Sequence, residues 1–266
     1  MFTDKLKKID ELKVQLSKYK LFLNDELIKS LENYYHVRLT YSSNYIEGFT
    51  YTEEETFNLI FNDQAADFKS ALETGAVRAH DKCFRYMMES QTGFYLEERD
   101  VLKFHELLAG GLENDAIPGR YRTGRVQIAG KEFISPDRVP GAMKMMFRNL
   151  EEAREKEYNP ILLALRYHKD IVFIHPFMDG NGRVARLAMN TIMLQNNYLP
   201  IDIPPEKRSA YHQSIKNTYT NPNSFFQFML DQTIDSHQFM LVKLTTDYCE
   251  FLNNSRNNKS PSLKRE

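Results

Sequence analysis

The chain has little of what would tie it to an oxidising compartment, a membrane or a polyanion. Of its 266 residues only Cys83 and Cys249 are cysteines. They lie far apart and outside any CxxC spacing, a usage that suits a reducing compartment and argues against a disulfide or a zinc site. No stretch reaches 18 consecutive apolar residues, and the start Met1-Phe2-Thr3-Asp4-Lys5-Leu6-Lys7 has no apolar h-region. A cytoplasmic protein is the expectation. No charge of one sign dominates, with 35 Lys plus Arg against 36 Asp plus Glu. No overall field therefore draws the chain to nucleic acid or anionic lipid, and neither is expected as a partner. Glycine and proline are scarce at 11 and 10, which leaves few chain breakers and points to long helices.

What is there agrees. With 42% hydrophobic residues the chain can bury a substantial core, and its apolar residues recur at three- and four-residue spacing. An all-α fold follows. A first helix is expected from Asp4 to about Tyr19, with Leu6, Ile9, Leu12 and Leu16 on one stripe. A second should start at Asn24 or Asp25 and run toward Ile46, with Gly48 as C-cap. Further helices are expected over Thr52 to Asn62, Phe68 to Glu89, Glu97 to Leu108, Gly141 to Glu155, Pro160 to Ile174, from about Arg183 onward, Glu206 to Thr218 and Asn223 to Leu252. One segment, Arg125 to Ile134, alternates polar and apolar residues around Gly130 and reads as a small hairpin. The tail from Asn253 to Glu266 has little to bury and reads as disordered. Tyr34, Tyr35, Phe225 and Phe226 read as core.

Chemistry concentrates just after the helix Pro160 to Ile174. Pro176 keeps His175 out of right-handed helical angles, so the helix should stop and present the imidazole at a core-anchored edge. Asp179-Gly180-Asn181-Gly182 combines residues that tolerate left-handed angles. A turn of that kind feeding a helix makes a nest of amides for an anion, strengthened by the helix dipole. Arg183 and Arg186 share a face in the first turn, where cations oppose the dipole and each other, and an anion relieves that cost. Asp179 is acceptor-only, which suits a divalent metal bridging phosphates, with Mg²⁺ the natural candidate. A neutral His175 beside the nest can take a proton from an attacking hydroxyl. These parts point to phosphoryl-type transfer.

His175-Pro176-Phe177-Met178-Asp179-Gly180-Asn181-Gly182-Arg183-Val184-Ala185-Arg186 resembles the signature HPFx(D/E)GNGRxxR of the Fic family. Chance agreement at its fixed positions is on the order of 10⁻¹² per starting point. The similarity extends to Leu107-Leu108, to Pro118-Gly119-Arg120-Tyr121-Arg122, to the hairpin, and to Arg208 and Tyr211, covering about Leu96 to Phe228. The resemblance implies an all-α Fic fold, a helical bundle with a short β-hairpin flap over the active site. It divides the chain into N-terminal helices with an inhibitory helix (1–60), the catalytic core (61–230), and a C-terminal helix with its tail (231–266). It implies AMP transfer from ATP to a Tyr, Thr or Ser hydroxyl of a target protein or of the chain itself. In that reading His175 is the base and Asp179 the Mg²⁺ ligand. Gly180, Asn181 and Gly182 form the phosphate nest, and Arg183 and Arg186 hold the outer phosphates. Family members that move phosphate carry lysine at the second glycine, so Gly182 favours AMP. Val126, Gln127, Ile128 and Ala129 would dock an extended target segment, and Tyr211 would contact adenine.

Upstream, Ser43-Asn44-Tyr45-Ile46-Glu47-Gly48 resembles the family's inhibitory motif (S/T)xxxE(G/N). The resemblance pairs Glu47 with Arg186 in a bidentate contact that takes the arginine from the γ-phosphate, with Ser43 as the motif's other fixed residue. Two other functions use the same residues: removal of AMP from a modified protein by Glu47 and His175, and a regulator that senses ATP without turnover. Homo-oligomerisation is compatible with all three. His168 reads as a satisfied core histidine, and His36, His80, His105, His212 and His237 carry no assigned chemistry.

Overall fold

Capping chemistry sets most of the helix boundaries in the computed structural model, which describes residues 2–20, 24–90, 95–112, 116–128 and 130–257. Helix α1 spans Thr3–Lys20. Helix α2, Asp25–Glu47, begins where the Asn24 side chain accepts from the Leu27 amide and ends on Gly48 at φ 102°. Capping boxes open α3 (Glu53–Asn62), through Thr52 and Glu55, and α4 (Ala71–Glu89), through Ser70 and Glu73. Helices α5 (Glu98–Leu107) and α6 (Val139–Glu155) flank the hairpin, in which β1 (Gln127–Ile128) pairs antiparallel with β2 (Lys131–Glu132). Asn159 caps α7 (Pro160–Ile174) by accepting from Ile161 and Leu162. Helices α8 (Asn181–Gln195), α9 (Arg208–Asn217) and α10 (Ser224–Asn257) complete the chain.

Helices α7 and α8 form the centre. Every residue of α8 from Arg183 to Met193 is buried, so its N-terminus is held by the core on all sides. Helix α2 packs on both α8 and α4, which brings its C-terminal end to the start of α8. The apolar stripe Ile9, Leu12 and Leu16 of α1 is buried, and α1 packs on α10. Where α4 meets the turn after α5, the backbones touch: a Cβ on Gly75 would lie 2.0 Å from the Gly110 carbonyl oxygen.

Several boundaries differ from those the sequence suggests, among them α6, which starts at Val139 and not Gly141, and α9, which starts at Arg208 and not Glu206. Helix α4 starts at Ala71 and not Phe68, because the Ser70 capping box fixes the first turn and Phe68 sits at φ 64°. Helix α8 starts at Asn181 and not Arg183, because Gly180 takes the left-handed cap at φ 79°. Helix α10 continues past Leu252 to Asn257, since no breaker interrupts it and adding residues to a formed helix costs little. Residues 258–266 of the expected tail, and Ala129 of the hairpin, lie outside the described residues. Among the described residues no helix is long and apolar enough to cross a membrane.

Four of the buried histidines, His80, His105, His168 and His237, are neutral. Burial pushes His80 and His168 down to about 3, and His105 and His237 down to about 4. In the unfolded chain each binds a proton near pH 6.5, so the unfolded state takes up more protons on acidification. Their contribution is complete above about pH 6.5 and is lost as pH falls toward the folded values, at about 1.4 kcal/mol per pH unit for each. Melting followed by circular dichroism should therefore give a Tm that falls steadily from pH 7 to pH 5. A constant Tm over that interval would show that these side chains are protonated in the fold.

Candidate active site

Helix α7 ends on His175, the residue expected to act as base. His175 lies at φ 53°, ψ 62°, a left-handed conformation that closes the helix through its amide to Ile171 O at 2.9 Å. A residue before proline is ordinarily extended, so this conformation is held by its surroundings. The Nδ1 atom lies 3.3 Å from Val172 O, an acceptor, so Nδ1 carries the proton and Nε2 keeps a free lone pair. Phe133, from the hairpin, stacks on the ring at 4.2 Å. Burial pushes the imidazole down to about 4, so it is neutral near pH 7.

The loop that follows is fastened from inside. Asn181 Oδ1 accepts from the Phe177 amide and Nδ2 donates to Phe177 O, both at 2.9 Å. Phe177 is fully buried and stacks on His105 at 3.8 Å. His105 accepts from the Gly119 amide through Nδ1 at 3.0 Å, so its Nε2 donates to Asp179 O at 3.2 Å. Gly180 is required twice over, by its left-handed φ and because a Cβ would lie 2.8 Å from Leu112 Cδ2. Of the residues expected to be left-handed, Gly180 alone is so; Asn181 and Gly182 are already helical. The nest is thus the first turn of α8, whose amides at Asn181, Gly182 and Arg183 have no partner within a helix. The Asn181 side chain is spent on the loop.

Charges surround this turn. Arg183, 1% exposed, donates to Gly111 O at 2.6 Å and to Asp179 Oδ2 at 3.0 Å. Arg186, 5% exposed, donates through Nε to Ser43 Oγ and through NH2 to Ser43 O, both at 2.9 Å, and through NH2 to Glu47 Oε1 at 2.5 Å. The expected Glu47 to Arg186 pair is therefore present, but through one carboxylate oxygen and not two, because Ser43 takes Nε and shares NH2 while NH1 faces the Tyr211 hydroxyl. The same oxygen lies over the first turn of α8: a Cβ on Gly182 would be 2.5 Å from Glu47 Oε1. Burial alone would raise the Glu47 carboxyl, but the Arg186 and Arg183 guanidiniums outweigh it and hold the group below the usual carboxylate range. Tyr211 is 2% exposed, with its hydroxyl 2.8 Å from His168 Nε2 and 3.5 Å from Arg186 NH1. It stands behind the arginine and presents no open ring face.

Sequence reasoning gave no role to His105, Phe133 or Arg122. Arg122 stands in the Pro118 to Arg122 run that resembles the family, and that run was its only signal. In the hairpin Gln127 and Ile128 are exposed, Ile128 by 51%, and Val126 accepts from the Phe133 amide at 3.1 Å. The neutral, singly oriented His175 is directly measurable: in an NMR titration its midpoint should fall near 4, with the proton on Nδ1 at pH 7. A midpoint above 6 would contradict the burial described.

Comparison with known proteins bears on this geometry. A model of the Fic/DOC family matches residues 95–193. "Protein adenylyltransferase Fic" of Drosophila mojavensis is 32% identical over 178 residues, which cover 66% of this chain and 35% of that protein. That of Drosophila melanogaster is 32% identical over 182 residues, with 66% and 36% covered. The chain thus spans about a third of the length of these curated relatives. Fic-1 from C. elegans shares the fold, with a TM-score of 0.81 at 24% identity over 92% of this chain and 73% of that one. A Fic family protein from Desulfovibrio desulfuricans G20 has a TM-score of 0.74 at 25% identity over 91% of this chain and 74% of its own. With its helical fold and its His175 to Arg186 loop, this chain carries a Fic/DOC family domain over residues 95–193.

Proposed function

We propose that the chain is a protein adenylyltransferase held in check by its own α2. One observation carries the reading: a neutral histidine with a free Nε2 stands beside a helix N-terminus, and the anion at that N-terminus is Glu47 of the same chain. The names of the curated relatives support the chemistry. A target hydroxyl oxygen attacks the α-phosphorus of ATP, a new O–P bond forms, the bond to the β-phosphate oxygen breaks, and pyrophosphate leaves. His175 Nε2 takes the hydroxyl proton. The first-turn amides of α8 hold phosphate oxygens, and Arg183 and Arg186 supply cationic charge behind them.

A divalent metal fits this site. Among the described residues no group of three or more His, Cys, Asp or Glu could hold one. Asp179 nevertheless offers hard carboxylate oxygens at the loop tip, and Mg²⁺ commonly takes one or two carboxylates with the rest of its oxygens from phosphate and water. Asp179 would hold it, and the ion would neutralise charge on the departing pyrophosphate. The target protein, or another copy of this chain, would lie along the exposed hairpin at Gln127 and Ile128 and pair main chain to main chain.

Glu47 gives the decisive test. Its carboxylate bonds Arg186 and lies against the first turn of α8 at Gly182, so its removal frees a guanidinium donor and deletes no catalytic group. With ATP and Mg²⁺, Glu47→Gly should gain the mass of one AMP per modified site while the parent chain gains little. His175→Ala in that background should lower the rate roughly 10²- to 10⁴-fold and keep ATP affinity. Arg186→Ala should stay inactive with or without Glu47, since it removes lock and phosphate contact together. ATP binding by Glu47→Gly with no mass gain, on itself or on cell extract proteins, would instead favour an ATP-sensing regulator.

A further inference from the structure

Next to the site lies a buried cation that no carboxylate answers among the described residues. Arg122 is 4% exposed, and burial alone acts on its pKa, pulling it down. Backbone carbonyls take the place of a carboxylate. Nε donates to His175 O at 2.7 Å, NH1 to Gly124 O at 3.0 Å, and NH2 to Ile134 O. Its own amide donates to Pro176 O at 2.8 Å.

These carbonyls belong to separate parts of the chain. His175 and Pro176 lie at the end of α7, Gly124 leads into the hairpin, and Ile134 leads out of it. The end of α7 is also the negative pole of a helix dipole, which offsets the cost of burying a positive charge there. Only a planar guanidinium has donors on three edges; lysine offers a compact ammonium in one place. His175 is a non-glycine residue at φ 53°, a conformation that persists where neighbours fix it, and Arg122 grips its carbonyl and the next. Phe133, one residue before Ile134, completes the link by stacking on the imidazole.

We propose that Arg122 is a positioning residue that ties both stalks of the hairpin to the backbone of His175, so that a segment docked on the hairpin is held in register with the base. The docking step rests on the adenylyltransferase reading; the tie itself does not. The guanidinium is the polar link between the hairpin stalks and the loop after α7, beside the Phe133 stack and the Arg122 amide, and its loss loosens that coupling while leaving the amide turn of α8 in place.

Hydrogen exchange on the full chain separates the tie from its use. In Arg122→Lys and Arg122→Gln, the amides of Phe133 and His175 should exchange together about tenfold or more faster, with α8 and α10 unchanged. In the Glu47→Gly background, Arg122→Lys should lower kcat for self-modification about 10- to 100-fold, the scale of a misplaced reactant, with ATP affinity by calorimetry held within about threefold. Faster exchange in only one of the two segments overturns the proposal. So does a uniform rise in every helix with a lower Tm, which is what a plain packing role produces. If Glu47→Gly transfers no AMP at all, the activity is wrong, and the exchange result decides the tie by itself.

Discussion

The structure around the site depends on the N-terminus of α8 and its need for an anion. The amides of Asn181, Gly182 and Arg183 point out of a helix whose body is wholly buried, and Arg183 and Arg186 add positive charge to the same end. Such a concentration of donors in the core is costly without negative charge to answer it. Asp179 answers Arg183 from within the loop, and Glu47 answers Arg186 from α2. A single carboxylate oxygen thus fastens the end of α2 to Arg186 and lies against the first turn of α8 at Gly182.

That arrangement explains why so much polar structure is buried behind the arginine. Ser43 gives Arg186 a hydroxyl and a carbonyl, and Tyr211 places its own hydroxyl between Arg186 and His168. Arg208 donates to Ile46 O at 2.8 Å, and Arg38 bridges Glu53 and Asp202. Helix α2 is therefore attached along its length, while its contact with the amide turn is made by one side chain that is 30% exposed. The attachment of the helix and the contact of Glu47 with Arg186 thus rest on different side chains.

The histidines show how burial assigns roles within one fold. His105 and His175 are both neutral and both flank the loop, yet His105 has each ring nitrogen engaged and only His175 keeps one free. His105 holds the backbone of Asp179, and His175 is held at one nitrogen by Val172. The sequence presents the two as the same residue type.

Much of the fold was legible because its signals are local. Asn24 and Gly48 bracket α2, Asn159 and Pro160 open α7, and the His175 to Arg186 pattern marks the loop with no knowledge of the rest. The pairing of Glu47 with Arg186 was also readable, though only through a motif resemblance. What sequence alone determined is set by steric preference and capping within a few residues. Tertiary structure decided what depends on three-dimensional approach: which oxygen of Glu47 meets Arg186, that Asn181 spends its side chain on Phe177, that His105 and not another histidine lies beneath the loop, and that Arg122 reaches backbone on both sides of the hairpin. A carbonyl has no signature in sequence, so the partners of a guanidinium that binds carbonyls appear only when the chain is folded around it.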